Sequence, residues 1–356
     1  MQSFVDLDRT LAGQPPELGA MLALIDTGRG REQLFEDQIP QVLRSLSEHA
    51  RIASITASNA IEGVTVDSER ALKIAEGAPR FRNRNEQEFA GYRDAIDSLM
   101  RLDSYERLTV PFILHLHRLL FQHAGGRGGY LKTDENFIVS YERGYREVVF
   151  EPVNPKDTEF MLRELVDRCN AAQAAAAGHP VILIGALILD LLAIHPVADG
   201  NGRLARLLTT YELLARGYGV ARYVSLEQRI YKSKNTYYQA LYDSQQRWHT
   251  HEHTIWPWVS YLVSVLASAY EDFEQRVADA RGGDGNKQDR VCDYILRQAP
   301  AEFRRRDIER ALPDVSNATI RLVLNQLRDA GKITPAGSGR GAHWRRLVGD
   351  DSIPQQ

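Results

Sequence analysis

Cysteine is scarce in this chain, whose 356 residues include only Cys169 and Cys292, in different predicted helices. Two isolated cysteines provide neither the spacing of a metal site nor a disulfide framework. Long apolar runs are missing too, because the longest, residues 181–194, is too short to span a bilayer and contains Asp190. The N-terminus has no apolar signal core. We therefore predict a soluble, cytoplasmic protein with no membrane partner.

The chain also lacks a strong net charge, which is −3, so no overall field points to nucleic acid. The charge is uneven along the chain, because residues 287–348 carry thirteen basic and seven acidic side chains. The composition, 43% hydrophobic and 26% charged, is that of a globular protein and excludes a disordered or fibrous one. A chain of this length accommodates two or three domains.

The most informative stretch is HPVADGNGRLAR, residues 195–206, between an apolar helix and a second helix predicted from about Arg203. The Gly-Asn-Gly turn leaves backbone N–H groups free at a helix N-terminus, a geometry that attracts phosphate. Arg203 and Arg206 share one helix face. His195 supplies a base and Asp199 a hard oxygen ligand suited to Mg²⁺. Together these residues predict a phosphate-transfer site.

This stretch resembles the Fic family signature HPFx(D/E)GNGRxxR, with Val197 where the family has Phe. The resemblance implies a helical Fic fold and an enzyme that transfers AMP from ATP to a Tyr, Thr or Ser hydroxyl of a protein, which includes auto-AMPylation. It makes His195 the catalytic base and Asp199 the Mg²⁺ ligand. The nucleotide-binding residues that it implies are Gly200, Asn201, Gly202, Arg203, Leu204, Ala205 and Arg206, with Asn201 adding a side-chain donor to the phosphates.

A second segment, SNAIEG at residues 58–63, ends a helix predicted over residues 51–62. A carboxylate in the last turn of a helix favours a cationic partner. The segment resembles the Fic inhibitory motif (S/T)xxxE(G/N), with Ser58 and Glu62 at its specified positions. That resemblance implies that Glu62 pairs with Arg206 and occupies the space of the ATP γ-phosphate, so that the enzyme is autoinhibited.

A predicted β-hairpin at residues 136–150 stands alone among predicted helices. A lone hairpin is either covered by helices or offers a strand edge to a partner. In the Fic family it is the flap that holds the target segment beside the active site. For the adenine pocket we single out Tyr238, which a core position would explain equally well.

The predicted fold class is mainly α, with a helical Fic fold, the hairpin flap and a small α+β domain. We predict an N-terminal helical region (1–100), a Fic core (101–280), a linker (281–286) and a domain that resembles a winged helix (287–348). Within the first region we expect an irregular arm with a short helix over residues 1–30, punctuated by Gly28-Arg29-Gly30, and then separate helices over 41–48 and 51–62. Arg321, Asn325 and Arg328 share the predicted exposed face of the third helix of the domain that resembles a winged helix, the face that contacts DNA in DNA-binding versions. Its partner is DNA or protein, and we expect a homodimer.

Other functions remain open. One alternative is that the same site removes AMP from a modified protein, with Glu62 orienting the water. Another is that the chain is a nucleotide-sensing DNA-binding regulator. A kinase of the Doc branch is disfavoured, because that branch has Lys in place of Gly202. Intact Glu62 argues against a phosphocholine transferase. His249, His251 and His253 are expected in a surface loop rather than at zinc.

Overall fold

The structure is a computed structural model that describes residues 2–77, 80–125, 128–142, 145–281, 287–337 and 342–347. The chain forms two compact units, Met1–Phe273 and Glu274–Gln356. The predicted linker lies outside the described residues except for Arg281, which ends a helix. In the described residues no helix has the length and apolarity to cross a membrane.

Unit 1 is built from helices and one hairpin. Its described helices are α1 (Leu7–Ala12), α2 (Glu17–Gln38), α3 (Pro40–Ile61), α4 (Ser68–Ala75), α5 (Arg84–Met100), α6 (Val110–Phe121), α7 (Pro155–Ala174), α8 (Pro180–Ile194), α9 (Asn201–Ala215), α10 (Leu226–Lys232), α11 (Lys234–Gln245) and α12 (Trp256–Arg281), the last of which continues past the boundary between the units. The strands are β1 (Ile138–Glu142) and β2 (Tyr145–Phe150). The predicted helical fold with a small hairpin is confirmed.

Helix α8 forms the centre of unit 1, because every side chain from Val181 to Ile194 is buried. It packs against α7 on one side and α9 on another. Its one charged residue, Asp190, accepts hydrogen bonds from the Ser3 hydroxyl (2.7 Å) and from the Trp248 indole (2.7 Å). The apolar run is therefore a core helix, and the loop that follows it starts from a rigid base.

The N-terminal third differs from the sequence prediction. We expected an irregular arm with a short helix in residues 1–30, and separate helices over 41–48 and 51–62. Instead, α2 and α3 are continuous helices of 22 residues each. Helix α3 buries side chains along its whole length, Leu43, Leu46, Ala50, Ser54, Ile55, Ala57, Ser58, Asn59 and Ile61. Its packing against α5 and α10 stabilises one long helix.

The hairpin pairs β1 antiparallel with β2, with an irregularity between Ile138 and Val139. No third strand joins this sheet within the described part of the chain. The ring of His249 stacks on Phe150 at 5.5 Å between centroids, and its Nε2 bonds to the Glu151 carbonyl at 2.7 Å. His249 thus supports the base of the hairpin, and no cluster of three metal-ligating side chains is found among the described residues.

Unit 2 is a small α+β unit. Its elements are α13 (Lys287–Asp293), continued by a π-helical turn at Tyr294–Gln298, β3 (Glu302–Phe303), α14 (Arg305–Ala311), α15 (Asn317–Asp329), β4 (Ile333–Ala336) and β5 (His343–Arg346). The strands form an antiparallel sheet in the order β3-β5-β4, and β3 was not predicted. A separate apolar core joins the helices to this sheet. Its assignment as a winged helix stays a prediction.

Candidate active site

The predicted site is the joint between α8 and α9. His195 ends α8 in the left-handed conformation (φ 52°), and Gly200 caps the start of α9 with φ 82°. Helix α9 begins at Asn201, earlier than the sequence indicated. The residues between the helices therefore form a tight loop that points the first backbone N–H groups of α9 outward from the helix end.

Asn201 closes this loop through two hydrogen bonds to the backbone of Val197. Its Oδ1 accepts from the Val197 N–H at 3.1 Å, and its Nδ2 donates to the Val197 carbonyl at 2.7 Å. Val197 is fully buried. We expected the Asn201 side chain to donate to phosphate, but both ends of its amide are bonded to the loop. Asn201 therefore fixes the shape of the loop.

Two side chains outside the motif hold the loop from the hairpin side. Lys132 Nζ donates to the Ile194 carbonyl (3.0 Å) and to Asn136 Oδ1 (2.8 Å). Asn136 Nδ2 donates to the Val197 carbonyl at 2.8 Å. Lys132 is buried, and this burial lowers its pKa to about 8. Sequence analysis missed both residues, because no local motif marks them.

His195 is poised as a neutral base. Its Nδ1 lies 3.2 Å from the Leu192 carbonyl, which can only accept, so Nδ1 carries the proton and Nε2 has the lone pair. Burial lowers the pKa of His195 to about 4, and the nearby positive charge of Lys132 acts in the same direction. The imidazole is therefore uncharged at neutral pH.

Asp199 is presented to solvent, with its side chain 62% exposed. Its carboxylate lies 3.5 Å from Arg84 and 3.9 Å from Arg203. Its backbone carbonyl accepts from Nε2 of buried His117 at 3.1 Å, while Nδ1 of His117 accepts from the Gly129 N–H. One accessible carboxylate beside a phosphate-binding loop fits Mg²⁺ shared with nucleotide phosphates.

Arg203 and Arg206 are almost fully buried, at 2% and 4% exposure. Arg203 Nη1 donates to Oε2 of Glu88 on α5 at 2.7 Å. Arg206 Nε donates to the Ser58 hydroxyl at 2.8 Å, and its Nη2 donates to the Ser58 carbonyl at 3.0 Å and to Glu62 Oε1 at 2.7 Å. The structure thus brings the two predicted motifs into contact.

Glu62 remains ionised at neutral pH. Burial acts to raise the pKa of its carboxyl, but the charge and hydrogen bond of Arg206, helped by Arg203 and Lys234, outweigh burial and lower the pKa. A methyl group at Gly202 would collide with Glu62 Oε1. The carboxylate therefore lies against the first turn of α9, where a helix N-terminus attracts anions.

Three further residues were predicted to bind the nucleotide, namely Leu204, Ala205 and Tyr238, and they differ in how accessible they are. Leu204 and Ala205 are buried, and the Leu204 N–H donates to the Gly200 carbonyl within the helix. This argues against a direct nucleotide contact by either residue, because only the first N–H groups of a helix are free and Ala205 lies further inside α9 than Leu204. Tyr238 is 44% exposed, whereas its neighbour Tyr237 is buried. Tyr238 is therefore not a core tyrosine, and partial burial, followed by the Glu62 charge, raises its pKa.

A family comparison agrees with this geometry. The model of the Fic/DOC family matches residues 107–213, which include the whole loop and most of α9. The chain contains a Fic domain. The match ends before α10 and begins after α3, so the segment that carries Ser58 and Glu62 lies outside it.

Curated relatives of this Fic domain are named protein adenylyltransferases. The chain is 33% identical over 131 residues to "Protein adenylyltransferase and cysteine protease IbpA" of Histophilus somni (strain 2336), covering 35% of the chain and 3% of that protein. It is 24% identical over 195 residues to "Protein adenylyltransferase fic-1" of Caenorhabditis elegans, covering 53% of the chain and 36% of that protein. The chain thus spans much less than two thirds of the length of these relatives.

Solved structures share the fold over a larger part of the chain. A Fic family protein from Desulfovibrio desulfuricans G20 matches with a TM-score of 0.62 and 20% identity, covering 96% of this chain and 98% of that one. Fic-1 (residues 134–508) from C. elegans matches with a TM-score of 0.57 and 20% identity, covering 74% and 73%.

Proposed function

We propose that this protein is an adenylyltransferase that moves AMP from ATP to a hydroxyl group of a protein and is held inactive by Glu62. The observation that supports this most strongly is the Glu62 carboxylate against the first turn of α9, bonded to buried Arg206. An anion already lies where the loop geometry and the arginine would bind a phosphate. The adenylyltransferase names of the curated relatives agree with this reaction.

In the proposed reaction His195 accepts the proton of the attacking hydroxyl at Nε2, because Nδ1 is bonded to Leu192. The hydroxyl oxygen attacks the α-phosphorus of ATP, the bond to the bridging oxygen breaks, and pyrophosphate leaves. Arg203 and Arg206, with the α9 N-terminus, stabilise the charge that builds on the leaving phosphates. Asp199 would hold Mg²⁺, which supplies further charge neutralisation at the phosphates.

The hairpin would present the target. β1 and β2 form a two-stranded sheet, with Val148 exposed on β2 and Phe137 exposed directly before β1. An extended segment of a partner protein can pair with a strand edge through backbone hydrogen bonds, which depend little on its sequence. We therefore infer a protein substrate whose modified residue is a Tyr, Thr or Ser beside His195.

The decisive experiment is label transfer by the Glu62→Gly variant with α-labelled ATP and Mg²⁺. Glu62 makes one charge-assisted hydrogen bond to Arg206, an interaction worth about 1.5–3 kcal/mol, so its loss should raise transfer roughly 10- to 100-fold. The label should appear on the protein itself or on an added lysate protein. The double variant with His195→Ala is the control and should be inactive. If both variants label equally, or neither does, the proposal is wrong.

Removal of AMP by the same site is a second candidate. The ionised Glu62 lies at the loop with its side chain 30% exposed, where it could orient a water molecule. For this reaction Glu62→Gly should lose activity toward a pre-modified protein, the opposite of its effect on transfer. Release of labelled AMP from such a protein by the unaltered chain, with Mg²⁺ or Ca²⁺, distinguishes the two directions.

A DNA-binding role for unit 2 is a further candidate. Arg321, Asn325 and Arg328 are all exposed on α15, as a recognition helix requires. Binding to DNA should weaken steeply with salt and lose affinity in Arg321→Ala. If the unaltered chain binds no DNA at low salt, unit 2 is better explained as a protein-interaction unit.

A further inference from the structure

Arg203 is held by a buried carboxylate, and this carboxylate has no part in the proposed reaction. Glu88, in the second turn of α5, is 5% exposed. Its Oε2 accepts from Arg203 Nη1 at 2.7 Å, and its Oε1 accepts from Arg84 Nε at 2.6 Å. Both carboxylate oxygens are therefore occupied by arginines, one inside the site and one, Arg84, that is mostly exposed.

This contact determines the direction in which Arg203 points. With Nη1 tied to Glu88, Nη2 faces the loop, 3.9 Å from Asp199 Oδ1 and 3.8 Å from where a Cβ on Gly200 would lie. The Phe121 ring lies 5.2 Å from the guanidinium carbon. Nε is buried and has no hydrogen-bond partner among the described residues. Buried donors beside a phosphate-binding loop are available for a ligand anion.

Glu62 and Glu88 both pair with a site arginine, but their surroundings differ. Glu62 lies at the end of α3 with its side chain 30% exposed, and it bonds Arg206 through one oxygen. Glu88 lies inside a helix with its side chain 6% exposed, and its movement would break two ion pairs. Rotation of one partly exposed side chain removes the carboxylate from Arg206, which keeps its two bonds to Ser58, whereas Glu88 stays fixed on Arg203.

We propose that Glu88 is a positioning residue that aims Arg203 at the nucleotide phosphates. On this view, which rests on the proposed nucleotide site, the two carboxylates act in opposite directions: Glu62 blocks the site and Glu88 preorganises it. An arginine with four rotatable bonds loses side-chain entropy when it binds an anion, and a fixed partner removes that cost before the ligand arrives. Small misplacements of a charge-stabilising group lower rates strongly.

Two substitutions separate geometry from charge, both made in the Glu62→Gly background. Glu88→Gln keeps the length and an oxygen that accepts from Arg203, but removes the charge. Glu88→Asp keeps the charge, but is one methylene too short to reach. If Glu88 positions Arg203, Glu88→Asp should be the more damaging change. It should weaken the binding of α,β-methylene-ATP and lower kcat, each roughly 10- to 100-fold. This is the range seen when the residue that orients a metal ligand is removed. Gln should stay closer to the parent.

The matched control is Glu86→Gln. Glu86 lies on the same helix, is 3% exposed and pairs with Arg70 at 2.9 Å, away from the loop. The Glu86→Gln change should lower Tm without changing the Kd of the ATP analogue. If Glu88→Gln binds the analogue more tightly and Glu88→Asp behaves like the parent, Glu88 screens charge and the proposal is wrong. Equal effects of the Glu86 and Glu88 changes on Kd would also overturn it.

Analogue binding keeps this test separate from the proposed transferase activity. If Glu62→Gly binds the analogue but transfers no label, the adenylyltransferase proposal fails, and the ranking of Gln and Asp at position 88 still decides the role of Glu88. If binding ranks as expected and kcat follows it, both proposals stand.

Discussion

At the scale of single residues, burial sets the protonation of the proposed base. Because burial lowers the pKa of His195 to about 4, its neutral form dominates at any pH well above that value. We expect transfer by Glu62→Gly to stay level from about pH 8 to about pH 5.5 and to fall toward pH 4. Initial rates over this range, with analogue binding followed in parallel, provide the measurement. A rate that is half-maximal near pH 6.5 would mean that His195 is solvated during the reaction.

Ser58 contributes to the proposed inhibitory contact through hydrogen bonds between its uncharged oxygens and Arg206. Its hydroxyl accepts from Arg206 Nε, whereas its carbonyl and Glu62 hold Nη2. Ser58→Ala removes one of the three bonds, so Arg206 should be held less firmly. We expect Ser58→Ala to transfer label roughly 3- to 10-fold faster than the unaltered chain and roughly 3- to 10-fold more slowly than Glu62→Gly, since one such bond contributes about 1 kcal/mol. Transfer equal to the unaltered chain would show that Glu62 alone restrains Arg206.

Contiguous motifs explain which site residues could be predicted. His195, Asp199 and Arg206 lie within twelve consecutive residues, and Glu62 lies four residues after Ser58, so the resemblance to two short Fic family motifs indicates them. Glu88 is 115 residues from Arg203 in the sequence, and Lys132 is 62 residues from Ile194. Such contacts exist only after the helices pack, because no local pattern encodes which distant element a side chain meets.

At the scale of elements, the segment before the hairpin supports the loop between α8 and α9. Lys132 bonds to the Ile194 carbonyl and Asn136, and Asn136 in turn bonds to the Val197 carbonyl. Lys132→Met fills the space but leaves the Ile194 carbonyl and the Asn136 oxygen without this donor. Each buried unsatisfied group costs about 1–3 kcal/mol, so we expect Tm to fall and kcat in the Glu62→Gly background to drop roughly tenfold.

Exposed Lys156 provides the control for this change, because Lys156→Met removes the same charge from a surface position on α7. Its Tm and kcat should match those of the parent. An unchanged kcat in Lys132→Met together with a lower Tm would limit Lys132 to a role in folding.

Helix limits were the least predictable part of the fold. The Gly28-Arg29-Gly30 stretch indicated a break, yet α2 continues through it. A Cβ at Gly28 would collide with the ring of Tyr270, so this glycine allows a close approach between helices rather than a turn. Local propensity was overridden by packing between distant helices, which a single sequence does not reveal.

At the scale of the whole molecule, the chain divides into two units with different roles in the proposals. His195, Arg206 and Glu62 all lie in Met1–Phe273, and the apolar core of unit 2 is formed entirely by its own residues. A unit with its own core can fold independently of its neighbour. A chain of residues 1–281 with Glu62→Gly should therefore be folded and should transfer AMP to itself or a lysate protein within about twofold of the full-length variant.

Circular dichroism and label transfer on this shortened chain test the expectation, with the Glu62→Gly, His195→Ala version as the inactive control. The same chain should lose any DNA affinity that the full-length protein shows, because Arg321, Asn325 and Arg328 are removed with unit 2. A shortened chain that folds but transfers no label would mean that residues after 281 contribute to the active site or to target binding. Unit 2 would then have to be counted as part of the enzyme rather than as a separate binding unit.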